Sequence, residues 1–169
     1  TNSLSQRLAD NLVGLLPEGY EAEFIKIDHL PLYNQDYETA DSPEVYAPFR
    51  ETIKAADAVL FVTPEHNRTI PAALKNALDV GSRPYGQNVW SGKPALIVSQ
   101  SPGLLSGFGA NHHLRQILTF LNMPTVQQPE AYISQTHKLL NEEGKITNED
   151  TLTFLQSVID AFVQLIERY

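Results

Sequence analysis

Two continuous apolar runs rich in branched side chains, at residues 58–63 and 95–99, constrain the fold of this chain more than any other feature. Neither run alternates between apolar and polar residues. Each therefore predicts a strand that is buried on both faces, as in a parallel sheet covered by helices. Since a polar loop and then an amphipathic helix follow each run, the sequence predicts an α/β fold.

Further helices are predicted where apolar residues recur at three and four positions, and shorter apolar segments predict weaker strands. Pro17 closes the first helix, Pro71 stands at a first helical position, and Thr147 or Asn148 can cap the last helix. The predicted helices cover residues 8–16, 44–56, 71–82, a segment around 114–121, and 148–168. The weaker strands are predicted at residues 21–27 and at either 125–126 or 131–133.

The length of 169 residues suits a single domain, which favours a doubly wound parallel sheet of the flavodoxin-like order 2-1-3-4-5 over residues 1–169. The chain opens on a helix, although each unit of this fold begins with a strand. Because the first strand of that order lies inside the sheet, its loss would leave two hydrogen-bonding edges unpaired. We therefore expect the first strand, with part of the loop that follows it, to precede Thr1.

The composition argues against several function classes. The 12 Lys and Arg residues against 20 Asp and Glu residues give a net charge of -8, which disfavours nucleic-acid and anionic-membrane partners. The sequence has no Cys, so it lacks disulfides, thiol catalysis and thiolate metal sites and suits a reducing cytoplasm. No apolar run approaches the ~20 residues that span a bilayer, and no signal-peptide pattern opens the chain. We expect a cytoplasmic protein.

In open α/β sheets, ligands bind where the carboxyl ends of the strands meet, so three loops are candidates for a site. The first is the start of the first helix, where Thr1, Asn2, Ser3 and Ser5 place small polar side chains beside unsatisfied backbone N–H groups. Such a position suits a phosphate group. Ser and Asn are also ordinary helix caps, and both interpretations stay open here.

The second candidate loop is framed by Pro64 and Pro71, which restrict its backbone. Glu65 and His66 suggest an acid/base pair or metal ligands, but adjacent residues on an extended chain point in opposite directions. We therefore predict no metal site. The backbone polar groups of this loop are better suited to the edge of a planar ring, with Asn67 fixing the loop from within.

The third loop, from Ser101 to Gly109, is rich in glycine but lacks the dinucleotide-binding spacing, because His112 stands where the last glycine is required. Ser101 does not fit a hydrolase nucleophile, since the glycine needed before it is missing. His112, His113 and Arg115 fit a solvated helix start. The glycines nonetheless allow a flat ligand to approach the backbone closely.

Motifs in these loops resemble the NADPH-dependent FMN reductase family, a flavodoxin-like group that includes quinone, chromate and azo-dye reductases. Residues 64–67 are similar to the family motif P-E-Y-N, with His66 in place of the tyrosine. Residues 71–79 resemble the motif P-x-x-L-K-N-x-x-D. Shorter motifs follow at family spacing: G-K-P at 92–94, S-P-G at 101–103 and H-L-R-Q at 113–116.

The resemblance implies a set of cofactor contacts. By analogy, residues 1–5 are the end of the family phosphate loop, G-S-x-R-x-x-S-x-N, with Ser3 on its serine and Ser5 in place of its asparagine. The P-E-Y-N segment and the turn after the strand at 95–99 border the flavin ring. The implied FMN contacts are Thr1, Asn2, Ser3, Ser5, Pro64, Glu65, His66, Asn67, Gln100, Ser101 and Gly103.

The resemblance also implies an activity, in which NADPH or NADH reduces bound FMN and the flavin passes the electrons to a quinone or similar small acceptor. No indispensable acid/base side chain is expected, because stacked rings at near-contact distance suffice. A homodimer or homotetramer is expected by the same analogy. Two alternatives stay open: a flavodoxin-type electron carrier that uses a protein partner, and a flavin-free interaction module of the same fold.

Overall fold

The structure is a computed structural model that describes residues 3–39 and 41–169. Within these residues it contains parallel strands flanked by helices on both sides, and none of the described helices is both long and apolar enough to cross a membrane. The strands are β1 (Val59–Pro64), β2 (Ala95–Gln100) and β3 (Ala131–Ile133). The helices are α1 (Leu4–Val13), α2 (Tyr46–Ala55), α3 (Ala72–Ser82), α4 (Phe108–Phe120), α5 (Thr136–Leu139) and α6 (Glu149–Ile166), with a short 3-10 helix at Gln35–Tyr37.

The strand β2 lies between β1 and β3, and both pairings are parallel, which confirms the prediction from the two apolar runs. Gln100 is the Cα partner of both Pro64 and Ile133, so the three strands end at the same edge. Of the two segments proposed for the last strand, residues 131–133 form it. Thr125 contributes only an isolated parallel bridge to Ala95.

Apolar side chains cover both faces of the sheet. Successive residues of β2 point to opposite faces of the sheet. Ala95 and Ile97 therefore join a cluster with α2, α3 and α4, whereas Leu96 and Val98 join a cluster with α1 and α6. Every residue of β2 is buried. This double burial explains why the sequence of the strand shows no polar alternation.

The helix ends follow from local residues. Ser3 caps α1 and Asn148 caps α6, each by accepting a backbone N–H bond through its side-chain oxygen. Pro48 falls in the first turn of α2, where its missing N–H leaves no helix bond unmade, and Pro71 immediately precedes α3. Gly107 precedes α4 with a φ of 72°, a left-handed conformation that favours glycine.

One predicted strand does not form. Residues 21–27 are irregular and make no ladder with any strand in the described part of the chain. Ile25 and Ile27 instead pack against the apolar cluster that includes α2 and α3. An extended segment becomes a strand only when a neighbouring strand supplies hydrogen bonds. The apolar residues of segment 21–27 were therefore not sufficient to make it a strand.

Candidate functional site

The three candidate loops begin from one edge of the sheet. Pro64 and Gln100 end neighbouring strands as Cα partners. The side-chain Nε2 of Gln100 donates a hydrogen bond of 2.9 Å to Ser5 Oγ in the first turn of α1. The start of α1, the end of β1 and the end of β2 are therefore joined at a single place, which we call the carboxyl-edge site.

At the start of α1, the described part of the site consists of Ser3 and Ser5, since Thr1 and Asn2 lie outside the described residues. Ser3 is an exposed N-cap whose side-chain oxygen accepts from the N–H of Gln6. The first turn of α1 contains no acidic residue. The positive end of the helix dipole is therefore not neutralised by an acidic side chain of the helix. An anion-binding position requires a positive end that is free in this way.

The segment that follows β1 is a tight hairpin. His66 and Thr69 exchange backbone N–H···O=C bonds of 2.9 and 3.0 Å, and Asn67 and Arg68 between them have φ values of 50° and 69°. Positive φ at both central residues is the geometry of a type I′ turn. The backbone N–H and C=O of His66 are thus paired inside the loop. The expected contact between this backbone and the edge of a planar ring is therefore limited to the other residues of the segment. Asn67 fixes the loop through its own backbone conformation.

Glu65 holds the hairpin against α4. Its Oε2 accepts a 3.1 Å bond from the N–H of Ala110, and its Oε1 lies 3.2 Å from an Arg68 guanidinium nitrogen. The carboxylate lies at the N-terminus of α4, where the helix dipole favours negative charge. The backbones approach closely here, because a Cβ added to Gly109 would lie 2.7 Å from the Arg68 carbonyl oxygen. This structural role of Glu65 was not visible in the motif.

The loop after β2 is held by buried polar side chains. Ser99 Oγ donates to the carbonyl oxygen of Ser106 at 2.9 Å and accepts from Asn111 Nδ2 at 3.2 Å, and both Ser99 and Asn111 are fully buried. Ser101 Oγ accepts a 3.0 Å bond from the N–H of Gly103. The turn that carries Ser101 and Gly103 is therefore fixed directly beside the end of β2.

Gln100 carries a buried acceptor that has no partner among the described residues. The residue is 3% exposed, its Nε2 bonds to Ser5, and its Oε1 accepts no hydrogen bond from any described residue. Such atoms are rare in folded proteins, because a buried acceptor without a donor costs about 1–3 kcal/mol. A hydrogen-bond donor on a ligand would remove this cost, so the atom makes the carboxyl-edge site the candidate binding site.

An aromatic cluster that the sequence analysis missed lies on the neighbouring strand. Tyr132, the Cα partner of Ser99, stacks with His112 and contacts Phe108, with ring centroids 6.1 and 5.4 Å away. Burial, reinforced by Glu130, raises the pKa of Tyr132 to about 12, so its phenol stays neutral. The rule that selected the other loops would have found Tyr132, because it belongs to a predicted strand near the same edge.

Two motif residues anchor the scaffold. Asn76 is buried, accepts the N–H of Tyr33 at 2.8 Å and donates to two carbonyl groups in residues 30–31, so it fixes that loop to α3. Arg115 donates to the Asn111 side chain and to the carbonyl oxygen of Val126, both at 3.0 Å. The interpretation of Arg115 as part of a solvated helix start was therefore wrong.

Two open cavities border α6 and contain none of the predicted cofactor contacts. One is lined by residues that include Tyr132, Asp150 and Phe154, and the other by residues that include Leu15 and Asp160. The unpaired buried acceptor, Gln100 Oε1, lines neither cavity. We therefore locate the candidate site at the carboxyl edge and not in these clefts.

The fold defines an α/β protein with a parallel sheet, and its candidate ligand site lies where the strands end. The family model of NADPH-dependent FMN reductases matches residues 1–138. The chain is 51% identical over 165 residues to a quinone reductase of Pseudomonas putida, covering 98% of this chain and 88% of that protein. It is 42% identical over 161 residues to a 2-hydroxy-1,4-benzoquinone reductase of Burkholderia sp., covering 95% and 87% of the two chains.

Among solved structures, the chain is similar to FerB, a flavoenzyme NAD(P)H:(acceptor) oxidoreductase from Paracoccus denitrificans. The TM-score is 0.93 at 39% sequence identity, covering 99% of this chain and 92% of that chain. This protein belongs to the NADPH-dependent FMN reductase family. Membership implies FMN as the cofactor and NADPH or NADH as the reductant.

The residues present at the carboxyl-edge site fit FMN. The start of α1 suits a phosphate group, because backbone N–H groups and hydroxyls meet there without a competing carboxylate. Gln100 Oε1 requires a hydrogen-bond donor, and FMN carries donors on its polyol chain and on its ring. One ligand can therefore satisfy both features of the site.

Proposed function

We propose that this protein is an NAD(P)H-dependent, FMN-containing oxidoreductase that reduces a quinone or a similar small acceptor. The observation that carries the proposal is the bond between Gln100 and Ser5, which joins the start of α1 to the end of β2 beside the end of β1. The same Gln100 side chain has a buried acceptor that lacks a partner in the described residues. The quinone reductases among the relatives support the class of acceptor.

Different parts of the site would hold different parts of FMN. The start of α1 would bind the phosphate through N–H groups and hydroxyls, and the segments after β1 and β2 would border the ring. When bound, FMN supplies the hydride-accepting and electron-donating chemistry. The proposed contacts are Thr1, Asn2, Ser3, Ser5, Pro64, Glu65, His66, Asn67, Gln100, Ser101 and Gly103.

We propose that the chain contributes positioning and no catalytic acid or base. Both carboxylate oxygens of Glu65 are engaged, one by Ala110 and one by Arg68. Tyr132 keeps its proton, because its pKa is raised to about 12. The carboxylate of Glu65 is thus used to hold the hairpin and the phenol of Tyr132 is neutral, and the protein would act by holding rings in contact and keeping water away.

The distribution of charge favours an anionic dinucleotide near the site. All 20 acidic residues lie outside residues 80–129, the segment that contains β2, α4 and the loop between them. Arg83, Lys93 and Arg115 lie inside this segment. The phosphates of NADPH would meet less repulsion there than elsewhere on a chain of net charge -8.

We also propose a homodimer or homotetramer. Phe108 and Phe120, near the two ends of α4, are 54% and 90% exposed, and α4 carries no acidic residue. His112 and Gln116 lie between them at four-residue spacing, so all four side chains share one face. An acid-free face with two exposed phenylalanines on an acidic protein favours a second copy, because other faces would repel it. A monomer in sedimentation velocity would contradict this proposal.

We further propose that β1, β2 and β3 are the third, fourth and fifth strands of the order 2-1-3-4-5, within one domain of residues 1–169. Among the described strands β1 pairs only with β2, so its other edge is available to a neighbouring strand. We propose a cytoplasmic location, because nicotinamide dinucleotides are reductants of that compartment.

Reduction of bound FMN tests the function directly. The protein is incubated with FMN, freed of excess flavin by gel filtration and mixed anaerobically with NADPH and then with benzoquinone. We expect the flavin absorbance to disappear with NADPH and to return with benzoquinone. A colourless protein would indicate a flavin-free module. A yellow protein that NADPH alone does not reduce would indicate an electron carrier, and either result would contradict the proposal.

A further inference from the structure

We infer that Gln100 recognises a hydroxyl group on the polyol chain of the bound flavin, while it orients the hydroxyl of Ser5 toward the phosphate. The inference rests on the proposed function and specifies which part of the ligand this residue reads. It depends on the position of Gln100, on the two ends of its amide and on the chemistry of the ligand.

Gln100 lies on the α1 side of the sheet. Two residues of β2 lie four and two positions before Gln100 and pack in the cluster that includes α1 and α6: Leu96 and Val98. Since alternate residues of a strand face the same side, the Gln100 side chain shares that side. Its bond to Ser5 agrees with this direction. Ser99, one residue earlier, bonds instead to Asn111 in α4.

The two ends of the Gln100 amide have opposite requirements. Nε2 donates to Ser5 Oγ, so the serine oxygen acts as the acceptor and its own O–H points away from that donor. A serine hydroxyl in this state is a donor for an anion at the helix N-terminus. Gln100 Oε1 can only accept, so it requires an O–H or N–H donor and would repel a phosphate oxygen.

A phosphorylated polyol matches this pair of requirements. The phosphate accepts from Ser5 and the first N–H groups of α1, and a hydroxyl close to the phosphate donates to Gln100 Oε1. The ring N–H of a flavin is also a donor, but it lies at the far end of the polyol chain from the phosphate. Because Gln100 and Ser5 are in direct contact at 2.9 Å, the donor nearest the phosphate is favoured.

Three flavins separate these possibilities. FMN carries the ring, the polyol and the phosphate, riboflavin lacks the phosphate, and lumiflavin lacks both the phosphate and the polyol. Dissociation constants are measured by quenching of flavin fluorescence for the wild type, Gln100→Met and Ser5→Ala. Methionine preserves the length and volume of glutamine without its polar atoms.

We expect Gln100→Met to weaken riboflavin binding by about tenfold, FMN binding at least as much, and lumiflavin binding not at all. Ser5→Ala is the matched variant for the phosphate, and it should weaken FMN binding while leaving riboflavin within about twofold. An equal loss for lumiflavin would assign Gln100 to the ring and overturn the inference. Unchanged riboflavin binding by Gln100→Met would also overturn it.

Thermal denaturation without flavin gives a second readout. Both variants lose the bond between Gln100 and Ser5, but only Gln100→Met removes the unpaired acceptor. We therefore expect the melting temperature of Gln100→Met to be at least as high as that of Ser5→Ala. A lower melting temperature for Gln100→Met than for Ser5→Ala would mean that Oε1 has a partner within the protein. If the wild type binds none of the three flavins, the proposed function itself fails. If the wild type binds flavin but the two variants do not show the expected losses for the three flavins, only this inference is refuted and the proposed function stands.

Discussion

Glu65 and Gln100 are side chains of the same length at the ends of neighbouring strands, yet the protein uses them in opposite ways. Both carboxylate oxygens of Glu65 have partners, in Ala110 and Arg68. Only one end of the Gln100 amide has a partner in the described residues. We infer from this difference that an edge residue whose polar atoms all have partners in the protein serves the scaffold, whereas an edge residue with an unpaired polar atom is left for a ligand.

The same contrast extends to the two loops. The hairpin after β1 is closed by the backbone bonds between His66 and Thr69, and His113 Nδ1 lies 2.8 Å from Thr69 Oγ1. The loop after β2 exposes Leu104 and Leu105 to solvent. We interpret both loops as borders of the site: the first is closed by bonds within the protein, and the second leaves apolar side chains for a ligand.

The largest effect is expected from Gly109→Ala. The added Cβ would lie 2.7 Å from a backbone oxygen of Arg68, so the hairpin or α4 must shift. We expect the free energy of unfolding to fall by about 1–3 kcal/mol in urea denaturation. Gly103→Ala is the matched control, because its nearest contact is Ser101 Oγ at 3.4 Å and its φ is not positive. Equal losses in both variants would remove the distinction between the loops.

A smaller effect is expected at Glu65, where two variants separate the hydrogen bond from the charge. Glu65→Ala leaves the N–H of Ala110 without its partner and should lower the free energy of unfolding by about 1–2 kcal/mol. Glu65→Gln keeps an acceptor and should cost less than about 1 kcal/mol, since the Arg68 side chain that pairs with it is 73% exposed and such pairs contribute little. A larger effect of Glu65→Gln on FMN affinity than on stability would indicate that the carboxylate contacts the cofactor.

The smallest effect is expected at Glu38, a second carboxylate that is paired within the protein. Hydrogen bonds from Tyr33 and then Arg83 lower the pKa of Glu38 below its ordinary value of 4.5. A lowered folded-state pKa contributes stability that is present above the unfolded-state pKa and is lost as pH falls through the folded-state pKa.

The variant Glu38→Gln removes this titration. We expect the stability of the wild type to exceed that of Glu38→Gln at neutral pH, and the two to converge as the pH falls below the ordinary pKa of 4.5. Melting temperatures across this range provide the measurement, and FMN affinity at neutral pH should be unchanged. Parallel melting curves at all pH values would exclude a role for this carboxylate in acid stability.

The parallel strands and the meeting of their carboxyl ends, where the candidate site lies, could be predicted from the sequence. The run that forms β2 has no polar alternation because every residue is buried, and β1, which is only partly buried, packs against the apolar clusters on both faces. The carboxyl ends of parallel strands share an edge. Gln100, Ser101 and Pro64 were therefore predicted to lie together from local patterns, and the register of the two strands agrees.

The remaining features depend on contacts between distant residues. Glu65 and Ala110 are 45 positions apart, so no local pattern encodes their bond. Arg115 has the charge of a surface residue, but Asn111 and Val126 supply its partners. Residues 21–27 have apolar side chains, but a strand also needs a neighbour to pair with.

Hydrogen–deuterium exchange with and without FMN tests the central claim most directly, because it reports where the cofactor is held. We expect FMN to slow exchange together at the start of α1, in the hairpin at residues 65–71 and in residues 100–107, with no change in α6. Protection of only one of these segments, or protection confined to α6 beside its two cavities, would contradict a cofactor site at the carboxyl edge.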